Sequence, residues 1–118
     1  MTVAVYGISN CNTVKRARAW LDERGVVYAW HDFKKGGVPA VRVDRWIAQL
    51  GWEALLNRQG TTWRQLDEAA KARVANAEAA RALMLERPSV IKRPVVEWSA
   101  RVTTVGFAED RFQAQLRA

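Results

Sequence analysis

The chain has very little cysteine: Cys11 is the only one among its 118 residues. A single thiol cannot close an internal disulfide, so we predict a fold that does not depend on oxidation, as suits the reducing cytoplasm. Val14 occupies the place of the second cysteine in a C-x-x-C pair. A disulfide intermediate on Cys11 would therefore have to be resolved by a thiol from outside the chain.

Other features are missing as well. No apolar run approaches the roughly 20 residues of a membrane-spanning helix, and no basic segment followed by a long apolar one opens the chain. We therefore expect no membrane association and no signal peptide. The chain has one histidine, no metal-ligand spacing and no glycine-rich phosphate loop, which predicts no metal and no resident cofactor. We expect a cytoplasmic monomer.

Positive charge is in excess but is not concentrated. The formal net charge is +7, distributed as +3 over residues 1–35, +2 over residues 36–88 and +2 over residues 89–118. No basic tail, zinc finger or aromatic RNA-binding motif accompanies it, so nucleic-acid binding is not favoured. The balance instead indicates anionic small molecules or an acidic partner surface. The chain length and the 49% of hydrophobic residues predict a single globular domain.

The first third of the chain predicts a strand, a helix and a second strand. Residues 3–8 form a short apolar run typical of a buried strand, and residues 12–23 show helical periodicity that ends before Gly25. Residues 26–33 are rich in β-branched and aromatic side chains, as strands are. Two strands joined by one helix form a βαβ unit, so we expect them to be parallel.

The middle of the chain predicts helices alone. Periodic apolar residues begin near Pro39, and the turn-rich residues 57–62 interrupt them. The alanine-rich residues 72–84 predict one further helix. We expect an all-helical insertion over residues 37–87.

The last third predicts strands again, followed by a helix. Apolar pairs begin at Val90, and residues 95–96 and 102–105 are close enough for an antiparallel hairpin. Phe107, Phe112 and Leu116 predict a C-terminal helix. The order β-α-β, helical insertion, β-β-α predicts an α/β fold of the thioredoxin-like kind with a mixed sheet. Its thioredoxin-like part would comprise residues 1–36 and 88–118.

The position of Cys11 makes it the candidate nucleophile. It lies between the first strand and the first helix, and Ser9 and Asn10 before it are suitable N-cap residues. We therefore expect Cys11 in the first turn, where unpaired N–H groups and the helix dipole favour the thiolate. The alternative is a small buried hydrophobic residue, as many free cysteines are.

Neighbouring polar residues could assist Cys11. Lys15 follows one turn later on the same helix face, where it could lower the thiol pKa, meet an anionic substrate or remain solvated. Asn10, Asn12 and Thr13 could cap the helix or orient an oxyanion, and capping is expected for Asn10 and Asn12.

The Arg93-Pro94 pair is the second candidate site. A proline that opens a strand often marks an edge or a cis peptide, and in thioredoxin-type folds a cis-proline faces the reactive thiol. Arg93 would then present a rigid fork of donors to an anionic group near Cys11. His31 stands beside Asp32 in a predicted strand, where a structural role is expected rather than that of a base.

With these residues in view, the chain resembles the ArsC/Spx family, and within it the YffB branch. The resemblance covers nearly the whole chain, and its motifs occur in the family's order at residues 6–15, 51–57, 60–64 and 91–94. It implies a thioredoxin-like fold and glutathione-dependent thiol chemistry. Cys11 matches the family's active-site cysteine, Arg93 the arginine of its R-P motif and Lys15 a basic position. Arg58 and Arg101 lie close in sequence to the positions of two further arginines that bind the anion in the family.

The sequence also departs from the family pattern. Gly7 stands where glutathione-linked arsenate reductases have a histidine, and Asn57 and Thr103 align with two of their arginines. Spx-type regulators usually carry C-x-x-C, which this chain lacks. Two hypotheses remain. The first is a thiol oxidoreductase that uses glutathione as co-substrate on a disulfide or a small oxyanion, with glutaredoxin as a candidate partner. The second is an Spx-like, non-catalytic module that binds a regulatory partner protein.

Overall fold

A computed structural model describes residues 2–117 of the chain. The chain divides into two compact units, Met1–Lys34 with Arg93–Ala118 and Lys35–Lys92. The helical insertion predicted over residues 37–87 lies within the second unit.

The first unit is built on a four-stranded mixed sheet. Its elements are β1 (Val3–Gly7), α1 (Asn12–Glu23), β2 (Tyr28–Asp32), β3 (Val95–Glu97), β4 (Thr103–Val105) and α8 (Glu109–Arg117). The strand order is β2-β1-β3-β4. β1 and β2 are parallel, whereas β1–β3 and β3–β4 are antiparallel. The thioredoxin-like α/β fold, the parallel βαβ unit and the C-terminal hairpin predicted from the sequence are confirmed.

One face of the sheet packs against α1 and α8. Its apolar core consists of Val5, Ala17, Trp20, Leu21, Val96, Trp98 and Phe112. The Phe112 ring is fully buried and meets Trp20 and Trp98 edge-on, with centroid distances of 5.6 and 4.9 Å. Edge-to-face rings match the positive edge of one π system to the negative face of another. This core fixes α1, and with it the residues at the start of α1.

The opposite face of the sheet carries polar groups. The Tyr6 ring on β1 stacks on the His31 ring of β2, with centroids 4.5 Å apart and planes within 11°. The Tyr6 hydroxyl donates a hydrogen bond to Oε1 of Glu97, which is fully buried on β3. His31 stacks on Tyr6 although it is exposed, and the structural role expected for it stays a prediction.

Three predicted boundaries in the first unit are wrong. β2 ends at Asp32, because the Asp32 carboxylate accepts a hydrogen bond from the Lys34 N–H (2.9 Å) and the short helix α2 (Phe33–Gly36) begins there. Phe107 precedes α8 rather than lying inside it, since Gly106 adopts φ of 77° and the helix begins at Glu109. Residues 26–27 likewise lie outside β2.

The second unit is helical, as predicted. It contains α3 (Ala40–Leu50), α4 (Trp52–Leu55), α5 (Thr61–Arg64), α6 (Glu68–Arg73), α7 (Ala77–Glu86) and a 3₁₀ turn at Pro88–Val90. α3 packs against α4 and α7. Fully buried side chains supply its core: Val43, Trp46, Leu55, Ala80, Met84 and Ile91.

Two predictions for this unit are wrong. The single helix expected over residues 72–84 is two, because Val74 leaves helical geometry (φ −86°, ψ 75°) and Asn76 starts α7 by accepting a hydrogen bond from the Ala79 N–H. The strand expected at Val90 is a 3₁₀ turn, and Ile91 forms one isolated bridge. No helix among residues 2–117 is long and apolar enough to cross a membrane.

Candidate functional site

Cys11 is the N-cap of α1 and not a residue of its first turn. Its backbone is extended (φ −87°, ψ 124°), its carbonyl accepts the first helical hydrogen bond from the Lys15 N–H (2.9 Å), and its N–H donates to the Ile8 carbonyl (3.2 Å). The expectation that Asn10 or Asn12 caps the helix is therefore wrong. Asn10 precedes the cap, Asn12 is the first helical residue, and both side chains are exposed.

The close approach of β1 and α1 leaves no room for a side chain at Gly7, the last residue of β1. A Cβ atom built on Gly7 would lie 2.9 Å from Cγ2 of Val14 and 3.5 Å from Cη2 of Trp30. A contact of 2.9 Å is shorter than packed carbon atoms tolerate, so any side chain would push the start of α1 away from the strand. Gly7 thus holds the first turn of α1, and the Cys11 cap, against the end of β1.

The surroundings of Cys11 favour its thiolate. The side chain is half-buried, and this desolvation by itself raises the thiol pKa. The backbone N–H of Val14, the Arg93 side chain with its positive charge and the backbone N–H of Thr13 act in the opposite direction and lower the thiol pKa. These donors outweigh desolvation, so the pKa of Cys11 is lowered from its ordinary value. Cys11 forms no side-chain cap hydrogen bond, but a thiolate at the N-cap position lies at the positive end of the helix dipole.

Arg93 reaches Cys11 from the start of β3. The Arg93-Pro94 peptide bond is cis, as the sequence suggested it could be. Pro94 is buried and its carbonyl accepts a hydrogen bond from the Gly106 N–H (2.9 Å), which attaches this segment to the end of β4. Arg93 itself is half-buried. An arginine at this site offers a planar set of donors both to the thiolate and to an anionic group that approaches it.

The remaining predicted site residues divide into two groups. Thr13 contributes its backbone N–H to the sulfur. Lys15, one turn along α1, and Arg101, before β4, have exposed side chains. Arg58 belongs to the second unit, where its guanidinium carbon lies 5.6 Å from the Trp52 ring centroid and 5.9 Å from that of Trp63. Participation of Lys15, Arg101 and Arg58 at the thiol therefore stays a prediction.

Sequence reasoning missed two contributions. The Val14 N–H acts on the sulfur because Cys11 is the cap, and helix periodicity cannot place a cap to within one residue. Arg18 on α1 stacks on Trp30 of β2, with 4.1 Å from its guanidinium carbon to the ring centroid. The alternation of Tyr28 and Trp30 in the second strand was the available signal, since alternate strand residues share one face.

Nothing in the described part of the chain forms a metal centre. Residues 2–117 contain no group of three or more histidine, cysteine, aspartate or glutamate side chains arranged to hold an ion. The chemistry available at Cys11 is that of a thiolate with hydrogen-bond donors and one cation beside it. Such an arrangement suits nucleophilic attack on sulfur and stabilisation of an anionic leaving group.

Comparison with known proteins identifies the family of this chain. The family model described as "ArsC family" matches residues 6–115. The solved structure of a YFFB (PA3664) protein is 50% identical, with a TM-score of 0.92 over 98% of this chain and 99% of the other. An arsenate reductase (ArsC) related protein from Brucella melitensis is 45% identical, with a TM-score of 0.76 over 100% and 97%. An uncharacterized protein of Haemophilus influenzae is 36% identical over 95% of this chain and 96% of its own. The chain belongs to the ArsC family.

Proposed function

We propose that the protein is a glutathione-dependent thiol oxidoreductase that uses Cys11 as its single nucleophile. The observation that carries the proposal is the position of Cys11 at the N-cap of α1, where the Val14 and Thr13 N–H groups and the Arg93 side chain lower the pKa of its thiol. Thiolates activated by a helix start and a cation are the nucleophiles of disulfide chemistry. Family membership and the YFFB and ArsC-related structures support the same chemistry.

The reaction proceeds in two balanced steps. The Cys11 thiolate attacks one sulfur of a disulfide, a mixed disulfide forms on Cys11, and the other sulfur leaves as a thiolate. The Arg93 side chain stabilises the attacking thiolate and lies beside the sulfur where charge changes. A glutathione thiolate then attacks the mixed disulfide and releases Cys11. The chain offers no second thiol for this step, since Cys11 is its only cysteine.

Arsenate is the second substrate class within this proposal. Cys11 and one glutathione together supply two electrons, which converts arsenate to arsenite and water and leaves Cys11 disulfide-bonded to glutathione. A second glutathione, or glutaredoxin, releases the enzyme. Several donors must converge to hold an oxyanion. Arg93 is the arginine whose charge acts on Cys11, so we expect disulfides to be reduced faster than arsenate.

A coupled assay tests the proposal. Oxidation of NADPH by glutathione reductase would be followed with glutathione and either 2-hydroxyethyl disulfide or arsenate, with and without glutaredoxin. We expect turnover of the disulfide by the wild-type chain and none above background by Cys11→Ser. Equal rates for the two proteins, despite an intact fold by circular dichroism, would overturn the enzymatic proposal. A stable partner captured equally well by Cys11→Ser would then support the non-catalytic binding module.

A further inference from the structure

A stripe of α1 leads away from the reactive thiol. Cys11, Lys15 and Arg18 follow one another at helical spacings of four and three, which places them along one side of the helix. The neighbouring side, which includes Val14 and Ala17, is fully buried against the sheet. At 1.5 Å per residue, the Arg18 backbone lies about 10 Å along the helix axis from Cys11. We call these three residues the α1 stripe.

Arg18 is the fixed member of the α1 stripe. Its guanidinium carbon lies 4.1 Å from the Trp30 ring centroid and 5.9 Å from that of Tyr28, and its Nε donates a hydrogen bond to the Tyr28 hydroxyl (3.1 Å). The Trp30 ring in turn approaches Gly7, at the end of β1 that leads to the thiol. Stacking and one hydrogen bond set the plane of the guanidinium in advance, so little side-chain freedom is lost when it binds a ligand.

The two terminal nitrogens of Arg18 are available to a ligand. Nε is used by Tyr28, and no carboxylate of residues 2–117 forms an ion pair with Arg18. The side chain is half-buried, so solvent screens its charge less than that of an extended surface arginine. A planar fork with two donors side by side matches the two oxygens of a carboxylate.

We propose that Arg18 binds a carboxylate of the glutathionyl group that reacts at Cys11. The inference rests on the function proposed above and adds how the co-substrate is recognised. The reacting sulfur of glutathione is on its central residue, and the longer γ-glutamyl arm carries a carboxylate roughly 10 Å from that sulfur when extended. This reach is comparable with the separation of the Cys11 and Arg18 backbones along the helix axis. Lys15 lies between them as a second cation. Arg18 takes no part in bond making: it holds the glutathionyl group while the Cys11 thiolate displaces glutathione thiolate from oxidised glutathione.

The half-reaction tests this without requiring turnover. Reduced protein would be mixed with oxidised glutathione, which carries carboxylates, or with 2,2′-dithiodipyridine, which carries none, and the modification of Cys11 followed by mass spectrometry. We expect Arg18→Gln to slow the reaction with oxidised glutathione about tenfold, as loss of a charge-assisted pair does. The rate with dithiodipyridine should stay within about twofold of wild type, because Arg18 is not among the groups that act on the sulfur.

Two further variants make the test decisive. Arg16→Gln removes the same charge from an exposed position on another side of α1 and should react like wild type with both reagents. Arg18→Lys keeps the charge without the planar fork and should recover only part of the rate. Equal slowing by Arg18→Gln and Arg16→Gln, or equal slowing of both reagents in Arg18→Gln, would overturn the carboxylate site. If Arg18→Gln slowed only the reaction with oxidised glutathione but the wild type showed no catalytic turnover, the enzymatic function alone would be overturned.

Discussion

Replacing Arg93 by glutamine should change the reactivity of Cys11 in a way that distinguishes electrostatics from packing. The substitution keeps a polar side chain but removes the charge and the charged hydrogen bond that Arg93 offers the sulfur. A hydrogen bond to a charged group contributes about 1.5–3 kcal/mol, and the lower end applies because Cys11 and Arg93 are only half-buried. About 1.4 kcal/mol corresponds to a tenfold smaller thiolate fraction at a pH below the thiol pKa.

The measured rate should fall by less than the thiolate fraction does. A thiolate of higher pKa is intrinsically more nucleophilic, with a Brønsted coefficient of about 0.4–0.5, which offsets about half of the effect on a logarithmic scale. We therefore expect alkylation by iodoacetamide, an uncharged reagent, to be about threefold slower than wild type at a pH below the pKa of both thiols. At high pH, where both thiols are ionised, the Arg93→Gln plateau should exceed the wild-type plateau.

The crossing of the two pH profiles is the diagnostic result. Arg16→Gln, with the same loss of charge on an exposed side chain, should follow the wild-type profile. An Arg93→Gln profile that is lower at every pH would indicate lost access or packing. An unchanged profile would refute the assignment of Arg93 as the cation that stabilises the thiolate.

Three further predictions concern stability. The Cys11 pKa is lowered in the folded state, so the unfolded chain binds more protons at pH values between the folded and unfolded pKa. Urea denaturation in reductant should therefore show the free energy of unfolding of the wild type rising with pH relative to Cys11→Ser and levelling above about pH 8.5. Parallel stability curves for the two proteins would contradict this. Gly7→Ala places a methyl group 2.9 Å from Val14 and should lower the free energy of unfolding by about 1–3 kcal/mol, and with it the melting temperature. The control Gly36→Ala meets nothing within 4 Å and lies in α2, so it should not lower the melting temperature. Equal melting temperatures for the two variants would contradict the close-packing argument. Asn76→Ala removes the side-chain cap of α7 and should lower the free energy of unfolding, measured by urea denaturation, by about 1 kcal/mol. An unchanged free energy of unfolding would show that the cap contributes nothing.

The sequence predicted the thioredoxin-like frame because its signals there are local. Residues 3–8, 12–23 and 26–33 have the apolar patterns of strand, helix and strand, and Gly25 marks the helix end. The Arg93-Pro94 pair was identified because a proline at the start of a strand has few compatible geometries. Both features depend on short-range steric rules, which a single sequence carries in full.

The helix boundaries that were predicted wrongly lie where neighbouring residues have similar capping or helix-forming preferences. Asn10 and Asn12 are the residue types that favour the N-cap, yet the helix begins one residue after Cys11. The helix expected over residues 72–84 has uniform helix-forming composition, but Asn76 competes for backbone N–H groups and starts a new helix instead. Such outcomes follow from tertiary packing and capping, which helical periodicity does not record.

The guanidinium of Arg18 illustrates a third kind of limit. Its stacking on Trp30 requires the register of α1 against β2, which is known only once the βαβ unit is assembled. The alternation of Tyr28 and Trp30 indicates an aromatic face on the second strand, but nothing within the helix sequence shows that Arg18 rather than Arg16 lies over it. The structure distinguishes them, because Arg18 stacks on aromatic rings whereas Arg16 is exposed.

The central claim is that Cys11 is an activated thiol, and the pH dependence of its alkylation tests that claim most directly. The chain has one cysteine, so mass spectrometry of the intact wild-type protein reports this site alone, with Cys11→Ser as the blank. The account predicts a midpoint clearly below the ordinary cysteine pKa of about 8.5. A midpoint at or above that value, or a thiol that does not react in the folded protein, would contradict the account.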